Sequence, residues 1–578
     1  MTSDGRTIMI VGADTPVRRA FTLLIEALGA VVVWRRPGES VAHDAEIAAV
    51  VVFGDDMVAA LEPRRLASAL TALRGRPLLL VGLGVNGEML DGLAEVTGVR
   101  LTRAAPAYLV SYTFAADEPL LWPFAGLCLA ERNPRVLAPL GDDRALQPLI
   151  STAAGHVMGR LLTGGSAVYL SAVSGWEGGP PPILWRSFRP ESFLDTLPVM
   201  AFARAALAGQ GWTRPTGQAT CIVDDPNLRR LRYGHLDFRA AVRLARERPF
   251  HLSVGFVPLD YRSTSGSVAQ LFRANPQALS LLIHGNDHLR LELARDVPDA
   301  EAATSVRQAL ARMARHEAAT GVACPAVMTP PHGACTPRWV RALRSAGYTA
   351  VVATATHPHT DWPEDEGASE LHEMLCGELG LHGFPVILRY PLSAPRERWL
   401  FAAWLEKPLI IYAHHGDFGG GAEELRARVD FINDRVGPRW ASIADVVHDN
   451  YQLRARGRTA DVRVFSNDVV IRVPEDVDEI VVAKEGRDIP WQGEAILVDG
   501  RPIEGGERSP TSLCVLVPTN GRTQLRVRFV PEASVSHSDL RVSPRSRARR
   551  MVTEARDRLA PAVDGVVGHL GRRQDVYD

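Results

Sequence analysis

From its amino end the chain alternates short apolar runs with segments whose apolar residues recur at helical spacing. "TIMIVGAD" from Thr7 is apolar and β-branched, and "PVRRAFTLLIEALG" from Pro16 has helical spacing and closes on Gly29. "AVVVWRR", "IAAVVVFGDD" and "RPLLLVGLG" follow. Continuous apolar strands separated by helices predict a parallel sheet buried on both faces. Between about residues 100 and 175 the pattern turns strand-rich and ends in "GSAVYLSAV". Residues 1–200 are therefore expected to form one α/β domain with a strand-rich extension.

Strands and helices alternate again over residues 201–450, and there the unusual residues stand at strand ends. A parallel (β/α) barrel keeps its site on that face. Over residues 455–535 the runs shorten to "DVRVFSN", "DVVIRVPE", "EIVVAKEG", "EAILVDG", "LCVLVPTN" and "TQLRVRFVPE", punctuated by Gly, Asn and Asp. That pattern predicts a small antiparallel β-sandwich. Residues 536–578 are Arg-rich and predict a helical or mobile tail with a solvated surface.

Composition narrows the classes. At 578 residues the chain is too long for a single core. A net charge of −1 gives no global signal for nucleic acid or an anionic membrane. Lysine occurs only at Lys407 and Lys484, so the basic residues are almost all arginine, which reads as coding bias. The six cysteines are scattered without a CxxC pair, which fits reduced thiols better than a disulfide framework or a zinc ribbon. The opening stretch moves straight into a strand pattern without a charged and then apolar leader, and no apolar run reaches membrane-span length. The expectation is a cytoplasmic protein without a transmembrane segment.

Two weak motifs lie in the first domain. Gly82, Gly84 and Gly87 hint at a nucleotide-binding turn but lack the acidic residue downstream. Asp55 stands at a strand end, yet no lysine follows the next strand as a response regulator requires. The domain resembles a flavodoxin-like or glutamine-amidotransferase-like layer, without a nucleophile elbow.

The candidate chemistry lies in four segments. "ATCIVDD" is a buried-strand pattern ending in Asp224 and Asp225, and "ALSLLIHGNDH" is another ending in His284, with His288 four residues on. "AVMTPPHG" runs into His332, and "PLIIYAHHGD" runs into His414, His415 and Asp417. Adjacent carboxylates at a strand end repel unless a cation or proton separates their roles. Each signal alone is also what a turn or helix cap produces. In a parallel barrel, however, the four strand ends converge on one face, and one carboxylate with two imidazoles leaves open positions on a divalent ion. Asn227, Tyr233, His235 and Asp237, just after the first segment, are candidates to line a substrate groove or to form a local turn.

The order Asp-Asp, HxxxH, a Pro-His-Gly turn and a strand ending in His resembles the polysaccharide deacetylase (NodB-homology) family over about residues 215–420. The resemblance implies a distorted (β/α) barrel and metal-dependent removal of acetyl groups from carbohydrate. It implies Asp224 as catalytic base, Asp225, His284 and His288 as metal ligands, and His414 as general acid, with His415 as the alternative acid. Asp361 would orient that histidine. Trp362 would wall the substrate, and Asn227, Tyr233, His332 and His415 would bind it. Zinc is the default for Asp-His-His, with cobalt, nickel or manganese as alternatives. Thr329 stands where the family has an arginine that braces the catalytic carboxylate, and Arg389 is a candidate replacement. His332 stands where the family has a tyrosine. Two other readings are hydrolysis of another amide or a glycosidic bond, and a non-catalytic carbohydrate-binding or assembly protein.

Overall fold

A computed structural model describes residues 6–39, 47–73, 75–83, 88–141, 144–163, 166–173, 193–215, 217–354, 378–379, 384–419, 422–485, 494–503, 505–509, 512–531 and 540–567. The chain forms two compact units. The first is built mainly from Met1–Thr213, with Arg396–Leu405 added from later in the chain.

The first unit holds a nine-stranded mixed sheet. Its strands are β1 (Thr7–Val11), β2 (Val31–Arg35), β3 (Ile47–Phe53), β4 (Leu78–Val81), β5 (Ala107–Phe114), β6 (Cys128–Leu137), β7 (Leu146–Thr152), β8 (Gly155–Thr163) and β9 (Ser166–Ser171). They lie in the order β2-β1-β3-β4-β9-β8-β7-β5-β6. The pairings of β1 with β2 and β3, of β3 with β4, and of β4 with β9 are parallel. The apolar runs of β3 and β4 are almost wholly buried, as strands covered on both faces must be. The extension β5–β8 is antiparallel, and β5 has mixed burial because one of its faces meets solvent. Gly84, Gly87, Asp361 and Trp362 lie outside the described residues.

The second unit begins at Arg214 and contains the barrel sheet. Its strands are β10 (Gln218–Asp224), β13 (Leu252–Phe256), β14 (Leu279–His284), β15 (Val327–Thr329), β16 (Ala350–Ala353), β17 (Glu378–Leu379), β18 (Pro385–Leu388), β19 (Tyr390–Pro391), β20 (Leu409–Ala413) and β21 (Arg439–Trp440). A small hairpin, β11 (Arg232–Tyr233) and β12 (Leu236–Asp237), follows β10. The sheet runs β17-β18-β16-β15-β14-β13-β10-β20-β19, and all its pairings are parallel except β17 with β18. β18 and β19 stand near opposite ends of that path, yet only Arg389 separates them in sequence. The chain therefore closes the sheet into a ring at Arg389, giving a distorted α/β barrel. Ile222, Leu282, Val327, Val352, Ile387 and Ile410 form a buried cluster with Ile443 and Val446. Asp237 caps the helix Phe238–Glu247 by accepting from Arg239 N–H at 2.9 Å.

Between Tyr451 and Pro531 lie a five-stranded and a four-stranded sheet around a shared apolar core. They are mostly antiparallel, but the strands at Thr459–Val464 and Glu479–Glu485 pair in parallel, which a purely antiparallel sandwich would not contain. A helix, Pro544–Val567, ends the described chain. Among the described residues no helix is long and apolar enough to cross a membrane.

Candidate metal centre

Every residue of β10 is buried, and the strand delivers Asp224 at its end. Asp225 follows with φ +81°, in the left-handed region that side-chain-bearing residues rarely occupy. This turn lets two neighbouring carboxylates take different partners. Asp224 Oδ2 forms a buried ion pair with Arg389 Nη1 at 2.7 Å. Asp225 Oδ1 lies 2.8 Å from His288 Nε2 and 3.3 Å from His284 Nε2.

The two histidines arrive from β14 and the turn after it. Gly285 has φ +64°, and a methyl group there would lie 2.5 Å from Glu292 Oε2 and 2.6 Å from Pro331 Cγ. Only glycine fits that bend. Glu292 is buried and accepts from the backbone N–H groups of Asn286 and Asp287 at 3.1 and 3.0 Å. Burial raises its pKa against the pull of those two donors. Arg312, also buried, donates to Asn286 Oδ1 and Asp287 Oδ1, each at 2.6 Å. The turn that carries His288 (φ +54°) is thus clamped by a carboxylate and a guanidinium.

His284 Nδ1 contacts the Thr329 carbonyl at 3.0 Å. Nδ1–H donates there, so Nε2 keeps its lone pair toward Asp225, the tautomer a metal ligand requires. Thr329, where the family resemblance implies arginine, serves through its main chain, and Arg389 braces Asp224 instead. Arg389 also lies over the Tyr412 ring at 4.5 Å.

One ligand atom from each of Asp225, His284 and His288 lies within 4.8 Å of the others. Among the described residues, Asp225 Oδ1 is buried and receives no aligned hydrogen bond despite its two close imidazole nitrogens. Three Lewis-basic atoms converging without hydrogen-bond geometry fit a shared divalent cation. Burial alone would raise the Asp225 pKa, but the two imidazoles outweigh it and hold the carboxylate well below its ordinary value. Burial opposes charge on His284, yet Asp224 and Asp225 together raise its pKa.

The other candidates divide into two groups. His332 (φ +58°) is exposed, and its ring centroid lies 5.9 Å from that of His288, so it flanks the cluster. His414, also exposed, follows directly after β20, and its backbone N–H donates to Asp417 Oδ2 at 2.7 Å. His415 points elsewhere. Its Nε2 lies 3.4 Å from Asp557 Oδ1, and its Nδ1 faces Gly234 so closely that a methyl there would sit 2.3 Å away. Tyr233 is buried and donates to Asp557 Oδ2 at 2.7 Å, while Asn227 accepts from Arg558 at 2.9 Å. Three expected substrate-binding residues are therefore joined to the C-terminal helix. Sequence reading missed Glu292, Arg312 and the helix residues, since none carries a local signal.

No family model matches the chain, and no curated protein matches it. Among solved structures, the chain is similar to Agd3, described as a novel carbohydrate deacetylase, at 11% identity with a TM-score of 0.48, covering 92% of this chain and 98% of that one. It is also similar to a family 4 acetyl xylan esterase from Clostridium thermocellum in complex with a cobalt ion, at 12% identity and TM-score 0.24, over 40% of this chain and 89% of that one. A candidate GMP synthase component from Thermoplasma acidophilum is similar at 12% identity and TM-score 0.24, over 36% of this chain and 96% of that one. These likenesses assign no residue roles, and the chemistry proposed for the chain comes from the site's own geometry.

Proposed function

We propose that this chain is a metal-dependent hydrolase that removes acetyl groups from an acetamido sugar or glycan. The observation that carries this reading is the convergence of Asp225, His284 and His288 beside the Arg389-braced carboxylate of Asp224. A divalent ion, zinc by default, would be held by those three residues and would supply Lewis acidity toward a water and the amide carbonyl.

The rest belongs to the chain. Asp224 Oδ1 is buried, has no hydrogen-bond partner among the described residues and lies 4.0 Å from His284 Nδ1, so it is available to take a proton from the attacking water. Arg389 fixes that carboxylate through its other oxygen. His284 is held in one tautomer by the Thr329 carbonyl. His414, at the end of the neighbouring β20, gives a proton to the leaving amine nitrogen. His415 is committed to Asp557, which favours His414 for that role.

The test is metal content by elemental analysis, followed by acetate release from N-acetylated oligosaccharides. About one divalent ion per chain is expected, lost in Asp225→Ala and His284→Ala. Asp224→Asn should keep the ion and lose about 10²–10⁴-fold in turnover, the usual worth of a general base. Full metal occupancy in both ligand variants would remove the site assignment.

A further inference from the structure

The C-terminal helix presents its charged side inward. Arg550, Glu554 and Asp557 are 4%, 7% and 2% exposed, whereas Met551, Val552, Leu559 and Val563 are 55–71% exposed. An inward face of charges on a helix needs partners, because a buried unpaired charge is costly. The partners lie on the segment that follows β10 and on the turn that follows β13. Arg550 Nε pairs with Asp260 Oδ2 at 2.7 Å, both groups being almost fully buried. Arg550 Nη2 donates to the main-chain carbonyl of Asp225 at 2.7 Å. Glu554 pairs with Arg229 at 2.9 Å, Asp557 accepts from Tyr233, and Arg558 donates to Asn227.

The contact with Asp225 differs in kind from the rest. Asp225 holds a left-handed backbone conformation, which persists only where its surroundings over-determine it. Its N–H donates to the Gly255 carbonyl at 3.2 Å, and its carbonyl receives the guanidinium. The backbone that aims the carboxylate is therefore fixed on both sides, once by β13 and once by a residue 325 positions away. Asp260 anchors the guanidinium in turn, at the end of the short turn Pro258–Asp260.

We infer that Arg550 is a positioning residue for the metal centre: by holding the Asp225 carbonyl in its left-handed turn, the C-terminal helix aims the Asp225 carboxylate at His284 and His288. The inference rests on the hydrolase reading only in taking Asp225, His284 and His288 as metal ligands. The planar guanidinium makes two bonds at once, to Asp260 and to Asp225, which a lysine ammonium on a single stem does not reproduce.

The experiment uses the full-length chain and cobalt(II) as the probe ion, titrated in competition with a chelator and followed by its visible absorption. Arg550→Met is expected to bind cobalt at least tenfold more weakly than the parent, with an altered absorption band. Arg550→Lys should fall between the two. Asp557→Asn, which loosens the same helix without touching Asp225, should leave the band unchanged. Parental affinity and an unchanged band in Arg550→Met would overturn the inference while leaving the metal centre standing. Failure of the parent to bind cobalt would instead remove the metal reading itself. If Arg550→Met does not fold, Arg550→Lys decides, and parental affinity there overturns the proposal. An equal change of the band in Asp557→Asn would also overturn it, because the effect would then belong to helix docking in general.

Discussion

Replacing Arg389 by methionine probes the buried ion pair at the barrel seam. Arg389 and Asp224 are 3% and 2% exposed, with Nη1 and Oδ2 2.7 Å apart. Two unit charges at that separation attract by about 6 kcal/mol at an effective dielectric constant of about 20. Removing one partner of a buried pair destabilises by about 3–5 kcal/mol. Arg389→Met is therefore expected to lose about 3–5 kcal/mol. Methionine keeps an apolar stem beside Tyr412, so the charge is the main thing removed. Denaturant unfolding of the parent, Arg389→Met, Asp224→Asn and the double variant gives the coupling energy. The double variant strands neither charge and should recover about 2–3 kcal/mol of the combined loss. Turnover of Arg389→Met should fall as well, because Asp224 loses the guanidinium that fixes its Oδ2. A coupling energy below about 1 kcal/mol would refute the reasoning.

Three further outcomes follow from named groups. His284 has a raised pKa beside Asp224 and Asp225 and must lose its proton to bind a metal, so affinity should fall up to about tenfold per pH unit below that pKa. Equal zinc affinity at pH 8 and pH 6, measured by competition titration, would contradict this. Burial pushes His316 down to about 4 from an ordinary value of 6.5, while its Nε2 contacts Thr264 Oγ1 at 2.8 Å. Its folded pKa is the lower one, so its stabilising contribution is complete above pH 6.5 and is lost as the pH falls toward 4. The denaturant midpoint should drop through that window in the parent, and the drop should be shallower in His316→Gln. A methyl group at Gly255 would lie 2.6 Å from Asp224 Oδ1 and 3.2 Å from its Cα, so Gly255→Ala should displace the carboxylate. Overpacking of this kind costs about 1–3 kcal/mol, and turnover should fall about tenfold or more with metal content unchanged. Unchanged turnover would mean that Asp224 has room to yield.

The first-unit strands β1–β4, the barrel strands and the short strands after Tyr451 were legible in the sequence, because burial on both faces or on one writes itself as a run or an alternation. The Asp225, His284 and His288 set was legible for a related reason: each lies at or just beyond an apolar run, and a parallel sheet brings such ends together. The parallel pair inside the C-terminal sheets was not, since pairing direction leaves no mark on either strand alone. Nor was the division of labour among the remaining polar residues. Asn227, Tyr233 and His415 stand next to the site in sequence, but the helix Pro544–Val567 claims them. Arg389 braces Asp224 only because the ring of strands closes at that residue. Glu292, Arg312 and Arg550 act on the site through buried bonds to groups remote in sequence or hidden in a turn. Apolar burial is periodic and local, so the sequence determined the strands and the meeting of Asp225, His284 and His288. A buried ion pair depends on which two places the chain brings together, and for Arg389, Arg312 and Arg550 the tertiary structure alone decided that.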